Sequence, residues 1–336
     1  MQAVILVGGF GTRLRPLTYE TPKQMLPVGD RPMIEVVVGH LAQQGISEVI
    51  LSLGYRPDRF TDAYPDNTIA GLPVHYAVEP EPLDTAGAIG FAARELGISE
   101  TFVALNGDVV NDLDVSALLD LHRKSGGEGT IHLTPVEDPS RYGVVPIDAS
   151  NKVEAFIEKP AREDAPSNWI NGGTYIFEPA VLDRIPEGEP CSIERTVFPQ
   201  MVADSCLYAL EAEGYWVDAG TPATYLQVGL DLINGVNGAG QAVSNSAVVA
   251  DSAQVEGSVV GAGCSIGDNA AVSGSMLHPG SVIEAGATVR DSIVGANSTV
   301  GSGAVLSGLC VIGNDQKVAP GSTLSGAKQP DPATVA

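Results

Sequence analysis

Three cationic side chains lie close together near the start of the chain: Arg13, Arg15 and Lys23. They follow a glycine-rich run, Gly8-Gly9-Phe10-Gly11, which itself follows a short apolar stretch. Glycine lets the backbone turn sharply and approach a ligand closely. Backbone N–H groups at such a turn bind phosphate oxygens, and fixed cations neutralise the charge of those oxygens. This order of residues therefore predicts a polyphosphate site directly after a buried strand.

Two familiar phosphate-binding motifs are excluded by the same residues. The P-loop pattern, Gly-x4-Gly-Lys-Ser/Thr, is absent. The dinucleotide fingerprint Gly-x-Gly-x-x-Gly begins at Gly9 and Gly11, but Leu14 stands where its third glycine belongs. An ordinary strand–helix turn is disfavoured, because Thr12-Arg13 and the later Pro22-Lys23 accompany the glycines.

Two aspartates are candidates for holding a divalent cation. Asp108 follows a predicted buried strand at 102–105, and Asp218 ends the strand-like run Tyr215-Trp216-Val217. Carboxylates together with phosphate oxygens give the oxygen ligation that Mg²⁺ prefers. Each aspartate alone is more often a turn residue, but the similar setting of the second one favours a metal site.

Strands and helices must bring these residues together. Strands are predicted at 3–7, 48–53, 74–78 and 102–105, and helices at 32–44, 58–64 and 85–96. This alternation predicts an α/β domain with a mostly parallel sheet and helices on both faces. Ligands of such sheets bind beyond the carboxyl ends of the strands, at the loops 8–13, 79–85 and 106–108.

A second pattern begins after a Gly- and Asn-rich linker near 234–241. Aliphatic residues from Val249 to Val311 recur at intervals of 6, 5, 6, 6 and 5, so that each coil takes 17 residues. This hexapeptide-type repeat predicts a parallel β-helix that stacks its aliphatic side chains inward. Two aliphatics adjoin at the short side, as in Val259-Val260, and we expect that edge to be regular. His278 lies at a coil corner, where we expect a surface position or a packing or oligomer contact rather than catalysis.

These patterns divide the chain into a catalytic domain at 1–235 and a β-helix domain with a C-terminal tail at 236–336. Every candidate site residue precedes the division. A chain that ends near Gly235 is therefore expected to lose oligomerisation or solubility before it loses its chemistry.

The opening residues resemble the signature of the sugar-1-phosphate nucleotidylyltransferases, also called nucleotide-sugar pyrophosphorylases. The matching residues are Gly8-Gly9-x-Gly11-Thr12-Arg13-Leu14-x-Pro16-Leu17-Thr18 and Pro22-Lys23. The similarity continues to about Leu230, and its details are closest to the mannose-1-phosphate guanylyltransferases. The resemblance implies a Rossmann-like nucleotide-diphospho-sugar transferase domain followed by a left-handed parallel β-helix. It also implies condensation of GTP with mannose 1-phosphate to GDP-mannose and pyrophosphate, with Mg²⁺ as cofactor.

The resemblance further implies a role for each group of residues. The nucleotide is expected to contact Leu6, Gly8, Gly9, Gly11, Thr12, Arg13, Glu79, Pro82, Asp84 and Thr85. The sugar phosphate is expected to contact Gly143, Glu158, Lys159 and Asn171. The catalytic residues are expected to be Arg13, Lys23, Asp108 and Asp218, with Mg²⁺ on the last two. Taken alone, the Glu158-Lys159 pair would be interpreted as two solvated charges.

The base-binding loop departs from the family pattern at one position. Asp84 stands where the guanylyltransferases typically have glycine. A carboxylate at Glu79 or Asp84 is expected to accept the ring N–H and the amino group of guanine, whereas uracil or thymine offers one such donor. Asp84 is equally well explained as the N-cap of the following helix.

Two alternative functions stay open on the sequence. One is a thymidylyl- or uridylyltransferase that acts on glucose 1-phosphate. The other is a non-catalytic regulatory subunit that binds sugar nucleotides, which the presence of all four catalytic residues disfavours.

The composition limits the partners. The 336 residues carry a formal net charge of −23, which disfavours binding to nucleic acid or to a membrane surface. The four cysteines show no metal or disulfide spacing and are interpreted as reduced. The chain opens in a predicted strand rather than in a basic, apolar leader, and no apolar stretch is long enough to span a bilayer. We therefore expect a cytoplasmic homo-oligomer whose partners are small-molecule substrates.

Overall fold

The computed structural model describes residues 1–236 and 241–334, so half of the predicted linker at 234–241 lies outside the described residues. The chain divides into two compact units, which comprise Met1–Gly9 with Ile34–Trp216 and Phe10–Met33 with Val217–Ala336. The boundary between the units thus falls inside the glycine-rich signature, after Gly9. The functional division at residue 235 stays a prediction.

The helices and strands of the first part of the chain follow the predicted alternation. The helices are α1 (Met33–Gln43), α2 (Asp58–Ala63), α3 (Asp84–Glu95), α4 (Val115–Ser125), α5 (Phe198–Ala203) and α6 (Pro222–Ile233). The strands are β1 (Gln2–Leu6), β2 (Pro27–Val28), β3 (Arg31–Pro32), β4 (Glu48–Leu53), β5 (Thr68–Ile69), β6 (Leu72–Val78), β7 (Phe102–Asn106), β8 (Val109–Asn111), β9 (Gly129–Pro135), β10 (Gly143–Val144), β11 (Ile157–Glu158), β12 (Trp169–Phe177), β13 (Leu207–Glu211) and β14 (Trp216–Asp218). Among the described residues, no helix is both long and apolar enough to cross a membrane.

One large sheet organises the first unit. Its order is β11-β10-β12-β7-β1-β4-β6-β5, and β9 pairs with both β12 and β13. The strands β7, β1, β4 and β6 are mutually parallel, whereas β12 runs antiparallel to β7. The predicted Rossmann-like, mostly parallel sheet is therefore confirmed, with an antiparallel extension beyond β7. Strand β1 reads as a continuous apolar run because it is central, and its Val4 and Ile5 are fully buried.

Glycines with positive φ follow two of the predicted helices. Gly45 follows α1 with φ +79°, and Gly97 follows α3 with φ +62°. A left-handed residue after the last turn satisfies the free carbonyls of a helix, and glycine adopts that conformation without a Cβ clash. These two stops fix where the chain returns into β4 and β7.

The second unit contains three parallel five-stranded sheets, as the repeat predicts. Their strands are β15 (Val248–Val249), β16 (Gln254–Glu256), β17 (Val259–Val260), β18 (Ser265–Ile266), β19 (Ala271–Ser273), β20 (Met276–Leu277), β21 (Val282–Ile283), β22 (Thr288–Arg290), β23 (Ile293–Val294), β24 (Thr299–Val300), β25 (Val305–Ser307), β26 (Val311–Ile312), β27 (Lys317–Val318), β28 (Thr323–Ser325) and β29 (Lys328–Gln329). Every third strand belongs to the same sheet, so each coil contributes one strand to each of three sides. This arrangement is a parallel β-helix, consistent with the left-handed form that the resemblance implies.

The predicted 17-residue period holds for the first coils and is wrong for the last step. The hydroxyl of Ser292 accepts a hydrogen bond from the N–H of Cys310, which lies 18 residues later. The equivalent bond one coil earlier, from the N–H of Ser292 to the hydroxyl of Ser275, spans 17 residues. The register then pairs Val294 with Ile312, so the inward side chain is Ile312 rather than the expected Val311. The extra residue is accommodated near Leu309, which has φ +64°.

The adjoining aliphatics Met276 and Leu277 at the short side of their coil have a structural reason. Leu277 belongs to the inner core of the β-helix. Its neighbour Met276 is just as buried, but it lies against α6, where a Cβ on Gly229 would meet the Met276 side chain. One aliphatic of the pair thus fills the coil, and the other packs against the helix that precedes the β-helix.

The segment Phe10–Met33 also packs on the β-helix within the second unit. A Cβ on Gly313 would lie 3.1 Å from Cβ of Pro16, and Nζ of Lys328 donates to the carbonyl of Arg13 at 3.4 Å. A chain that ends near Gly235 would lose these contacts. Because the signature segment depends on these contacts, we expect such a chain to lose its chemistry as well.

His278 is buried, with 2% of its surface exposed. Its Nε2 lies 2.9 Å from the hydroxyl of Tyr225 on α6. The expected surface position is thus wrong, because α6 covers this coil corner. The expected packing role is right.

Candidate active site

The carboxyl ends of β1 and β4 form a glycine-lined surface in the first unit. A Cβ on Gly8 would lie 3.1 Å from Oε1 of Glu79 and 3.3 Å from the amide nitrogen of Gly54. A Cβ on Gly54 would lie 3.0 Å from the carbonyl oxygen of Gly8. The two backbones approach so closely that a side chain at either position would require its neighbours to shift. Leu6, at the end of β1, is partly exposed beside this surface.

The signature segment of the second unit is held by a tight turn. Gly11 has φ +60° and precedes a short 3-10 helix, Thr12–Leu14. The hydroxyl of Thr18 donates to the carbonyl of Gly11 at 2.8 Å. A Cβ on Gly11 would lie 3.3 Å from Cβ of Lys23. The turn therefore sets the predicted phosphate-binding backbone directly beside the predicted catalytic lysine.

Arg13 and Asp218 meet in the second unit. The guanidinium NH2 of Arg13 lies 3.8 Å from Oδ2 of Asp218, and 60% of the Arg13 side chain is exposed. The amide of Gly220 donates to Oδ1 of Asp218 at 2.8 Å and fixes the carboxylate. A long, exposed ion pair is worth little, so the cation is available to a phosphate ligand. The structure thus brings together two of the residues that sequence analysis selected.

Asp108 lies in the turn between β7 and β8, where it is half-buried. The preceding Gly107 donates its N–H to the carbonyl of Leu6 at 3.0 Å. A Cβ on Gly107 would lie 2.9 Å from that same oxygen. The close approach of β7 to β1 therefore requires this glycine and places Asp108 at the carboxyl end of the parallel strands.

Glu79 organises the loop that is predicted to bind the base. Its Oε1 accepts a hydrogen bond from the Ser52 hydroxyl at 3.0 Å, and its Oε2 accepts one from the N–H of Leu83 at 3.1 Å. Each carboxylate oxygen has a second lone pair that can accept from a base. Pro82 is exposed on the same loop.

Asp84 does not cap α3 as an N-cap residue does. It is the first residue of the helix, it has φ +58°, and its Oδ1 accepts from the N–H of the next residue, Thr85, at 2.7 Å. A positive φ explains the glycine of the family pattern, and aspartate is one of the few other residues that adopt it readily. Aspartate at position 84 therefore has the same backbone conformation that glycine would have there. The Asp84 side chain is exposed.

The side chain of Thr85 is engaged within the protein. Its hydroxyl donates to Oε2 of Glu194 at 2.8 Å and accepts from the N–H of Ile193 at the same distance. Glu194 was not selected as a site residue, and only its place after Ser192 distinguishes it in the sequence. The structure shows that this carboxylate anchors the start of α3.

The predicted sugar-phosphate residues of the first unit fall into two places. Nζ of Lys159 lies 2.8 Å from Oε1 of Glu158, and 57% of the lysine side chain is exposed. Gly143 pairs with Glu158 across the β10–β11 ladder. Lys159 has φ +51°, and left-handed backbone at a non-glycine residue is concentrated at functional sites.

Asn171 lies at a bulge of β12, where the register with β9 shifts. Its Nδ2 donates to the hydroxyl of Tyr175 at 2.9 Å, and its Oδ1 accepts from the N–H of Gly173 at 3.0 Å. Burial raises the pKa of Tyr175, so its hydroxyl stays protonated. The side chain of Asn171 is held rigidly by the bulge that it stabilises.

Comparison with known proteins decides the family. The family model described as "Nucleotidyl transferase" matches residues 2–235, and the one described as "GMPPB C-terminal domain" matches residues 239–329. The chain belongs to the nucleotidyl transferase family. The resemblance stated from the signature residues is thereby confirmed.

Curated relatives of this nucleotidyl transferase carry consistent names. The chain is 42% identical over 238 residues to "Mannose-1-phosphate guanylyltransferase" of Mycobacterium tuberculosis. The matched region covers 70% of this chain and 66% of that relative. The chain is 43% identical over 228 residues to "Mannose-1-phosphate guanylyltransferase catalytic subunit beta" of Dictyostelium discoideum, which covers 67% of this chain and 63% of the relative. The matched region thus spans slightly less than two thirds of the length of these relatives.

A solved structure shares the fold of the catalytic region. HddC from Yersinia pseudotuberculosis matches with a TM-score of 0.60 and 29% identity, over 69% of this chain and 99% of HddC. The same protein complexed with GMP-PN matches with a TM-score of 0.59.

Members of the nucleotidyl transferase family generally use a divalent metal. Asp108 in the first unit and Asp218 in the second are each half-buried carboxylates with hard oxygen donors, and each by itself suits a divalent cation. Within residues 1–236 and 241–334, no group of three or more His, Cys, Asp or Glu side chains is placed to hold a metal ion.

Proposed function

We propose that this nucleotidyl transferase condenses GTP with mannose 1-phosphate to give GDP-mannose and pyrophosphate. The observation that carries the proposal is 42–43% identity, over 238 and 228 residues, to relatives named mannose-1-phosphate guanylyltransferase. The charged residues that such a transfer needs are all present in that region. They are Arg13, Lys23, Asp108, Glu158, Lys159 and Asp218.

The reaction is a single displacement at phosphorus. A phosphate oxygen of mannose 1-phosphate forms a bond to the α-phosphorus of GTP, and the bond from that phosphorus to the bridging β-oxygen breaks. Pyrophosphate leaves with the electron pair. No general base is needed, because the nucleophile is already an anion. Phosphoryl transfer of this kind depends on positioning and on stabilising charge rather than on covalent chemistry by the protein.

Each charged residue has one task in this proposal. Backbone amides from Gly8 to Arg13 bind the triphosphate, and the Arg13 side chain holds the leaving pyrophosphate. Lys23 stabilises the charge between nucleophile and α-phosphate, and Lys159 holds the sugar phosphate. The 60% exposed Arg13 and the 57% exposed Lys159 are both accessible to a ligand.

The sugar and the metal are assigned to the remaining residues. Glu158 and Asn171 accept hydrogen bonds from sugar hydroxyls beside Gly143. Asp108 and Asp218 would hold Mg²⁺, which when bound neutralises phosphate charge and orients the triphosphate. The remaining nucleotide contacts do not neutralise phosphate charge. They come from Leu6, Thr12, Pro82 and Thr85. Homo-oligomerisation and a cytoplasmic location stay predictions.

Because Asp84 departs from the family pattern in the loop predicted to bind the base, one alternative has to be tested. It is transfer of a thymidylyl or uridylyl group to glucose 1-phosphate. Pyrophosphate release should be measured with GTP, ATP, UTP and dTTP, each with mannose 1-phosphate and with glucose 1-phosphate. We expect GTP with mannose 1-phosphate to have the highest kcat/KM. A preference for UTP or dTTP would replace the proposal by the alternative, and no turnover with any pair would favour a regulatory subunit.

Two lysine variants test whether the activity depends on Lys23. Lys23→Met should lower kcat/KM on the order of 10²–10³-fold, the usual cost of removing one preorganised charge contact. Lys124→Met is the matched control, since Lys124 is an exposed lysine on α4 outside every predicted motif. Equal loss in both variants would contradict the assignment of Lys23.

A further inference from the structure

A single buried hydroxyl connects three parts of the second unit. Tyr225 on α6 is fully buried. Its hydroxyl contacts the carbonyl oxygen of Pro27 and lies 2.9 Å from Nε2 of His278. Pro27 begins β2, and only Leu26 separates it from the 3-10 helix Lys23–Met25. The hydroxyl therefore bonds the backbone that follows Lys23 and a side chain of the β-helix at once.

The direction of these hydrogen bonds follows from donor counts. A backbone carbonyl can only accept, so the one proton of the Tyr225 hydroxyl goes to Pro27. The oxygen of Tyr225 must then accept, and Nε2 of His278 must carry a proton and donate it. Burial lowers the pKa of His278 to about 4, which keeps the ring neutral at physiological pH. The result is a chain of two hydrogen bonds, here called the relay, in which His278 donates to Tyr225 and Tyr225 donates to Pro27.

The same helix also positions the metal-binding segment. Helix α6 begins at Pro222, four residues after Asp218, and Thr221 caps it with a reciprocal hydrogen bond to Thr224. Tyr225 lies in the first turn. A displacement of that turn would therefore move the backbone that leads to Asp218 as well as the backbone that follows Lys23.

We propose that Tyr225 and His278 are positioning residues that hold the Lys23 and Asp218 segments in register for nucleotidyl transfer. This inference rests on the proposed function for the meaning of Lys23 and Asp218. It gives the β-helix a direct part in that reaction, because His278 belongs to a coil rather than to the catalytic region.

Three variants separate the relay from simple packing. Tyr225→Phe removes the hydroxyl and leaves the acceptor of Pro27 and the donor of His278 buried without a partner. His278→Leu removes only the donor. His278→Gln keeps an amide N–H that can reach the Tyr225 oxygen. Val300→Ala is the control, since Val300 is fully buried in the β-helix core and its truncation lowers stability without touching the relay.

The kinetic readout is pyrophosphate release at saturating substrate, well below every Tm. A misplacement of about 1 Å at a catalytic group can cost on the order of 10²-fold, so we expect Tyr225→Phe and His278→Leu to lower kcat by about 10–100-fold with KM little changed. His278→Gln should recover most of the loss, and Val300→Ala should keep the wild-type kcat. The double variant Tyr225→Phe with His278→Leu should lose no more than Tyr225→Phe alone.

A second readout does not depend on turnover. The amide of Leu26 bonds the carbonyl of Lys23, and the amide of Met33 bonds the carbonyl of Leu26. Their hydrogen exchange should accelerate at least tenfold in Tyr225→Phe and stay at the wild-type rate in Val300→Ala.

The two readouts distinguish failure of the inference from failure of the proposed function. Wild-type exchange at Leu26 and Met33 in Tyr225→Phe, or wild-type kcat in an active enzyme, overturns the positioning role. If the wild-type protein turns over none of the substrate pairs, the proposed function fails, and the exchange rates alone then decide whether the relay orders this segment.

Discussion

Replacing Glu79 by glutamine tests whether a carboxylate selects the nucleobase. In the structure this side chain accepts from the Ser52 hydroxyl at 3.0 Å and from the N–H of Leu83 at 3.1 Å. The same Ser52 hydroxyl lies 3.2 Å from the carbonyl of Ala88. A glutamine can therefore keep its carbonyl on Leu83 and turn its NH2 group to Ser52, whose proton then goes to Ala88. The loop should keep its conformation.

The expected cost to the fold and the expected cost to GTP differ in size. Loss of the charge-assisted bonds should lower the free energy of unfolding by about 0.5–1.5 kcal/mol. If the carboxylate accepts both guanine donors, glutamine leaves one of them buried without an acceptor. That costs about 1–3 kcal/mol, and since 1.4 kcal/mol is tenfold, kcat/KM for GTP should fall by about 5–150-fold. Activity with UTP or dTTP should change little, because each base offers a single donor.

The assay is pyrophosphate release with GTP, UTP and dTTP, together with a thermal melt of each variant. Asp84→Gly serves as the matched control on the same loop. Its φ of +58° suits glycine, its side chain is exposed, and it gives up only the bond to the next N–H. We expect little change in nucleotide preference. Glu79→Ala should lower activity with every nucleotide, because the N–H of Leu83 then has no acceptor.

Two results would refute this reasoning. Unchanged kcat/KM for GTP in Glu79→Gln would mean that backbone groups select the base. A tenfold loss for GTP in Asp84→Gly alone would transfer the base contact to Asp84. In either case the hydrogen bonds of Glu79 would be those of a loop-organising residue only.

Three further predictions follow from the geometry. Asp108→Asn and Asp218→Asn should each lower turnover on the order of 10²–10³-fold at an unchanged Tm, and full activity in either variant would remove that residue from the proposed metal site. A chain ending at Gly235 should lose turnover, measured as pyrophosphate release, because the signature segment loses its contacts with the β-helix; an active truncated chain would contradict this. Burial lowers the pKa of His132 to about 4 from 6.5, so the unfolded state binds the proton first and stability should fall as pH drops from 6.5 to 4, by up to about 1.4 kcal/mol per pH unit. His132→Phe should reduce that slope in melts recorded across this range, and an unchanged slope would refute the assignment.

Local sequence patterns predicted most of the elements correctly. Strands β1, β4 and β7 were recognisable because a central parallel strand is buried on both faces and reads as an unbroken apolar run. Helix ends at Gly45 and Gly97 were recognisable because the left-handed conformation after a helix favours glycine. These signals are carried by neighbouring residues, so no tertiary information was needed.

The site was only partly predictable for the opposite reason. The pairing of Arg13 with Asp218 joins residues far apart in the chain, and nothing in either local sequence indicates it. The hydrogen bond of Thr85 to Glu194 is equally non-local. The positive φ of Asp84 was invisible as well, since aspartate is ambiguous between a cap and a left-handed residue.

The sequence by itself determined the family, the α/β fold, the β-helix and the candidate charged residues, because each depends on a local motif or a fixed period. Tertiary structure alone decided that the chain divides after Gly9 and that Phe10–Met33 packs with the β-helix. It also decided that His278 is buried and bonded to Tyr225, a contact across 53 residues. The physical reason is that backbone conformation is encoded by adjacent residues. Burial and hydrogen-bond partners are settled only when distant segments pack together.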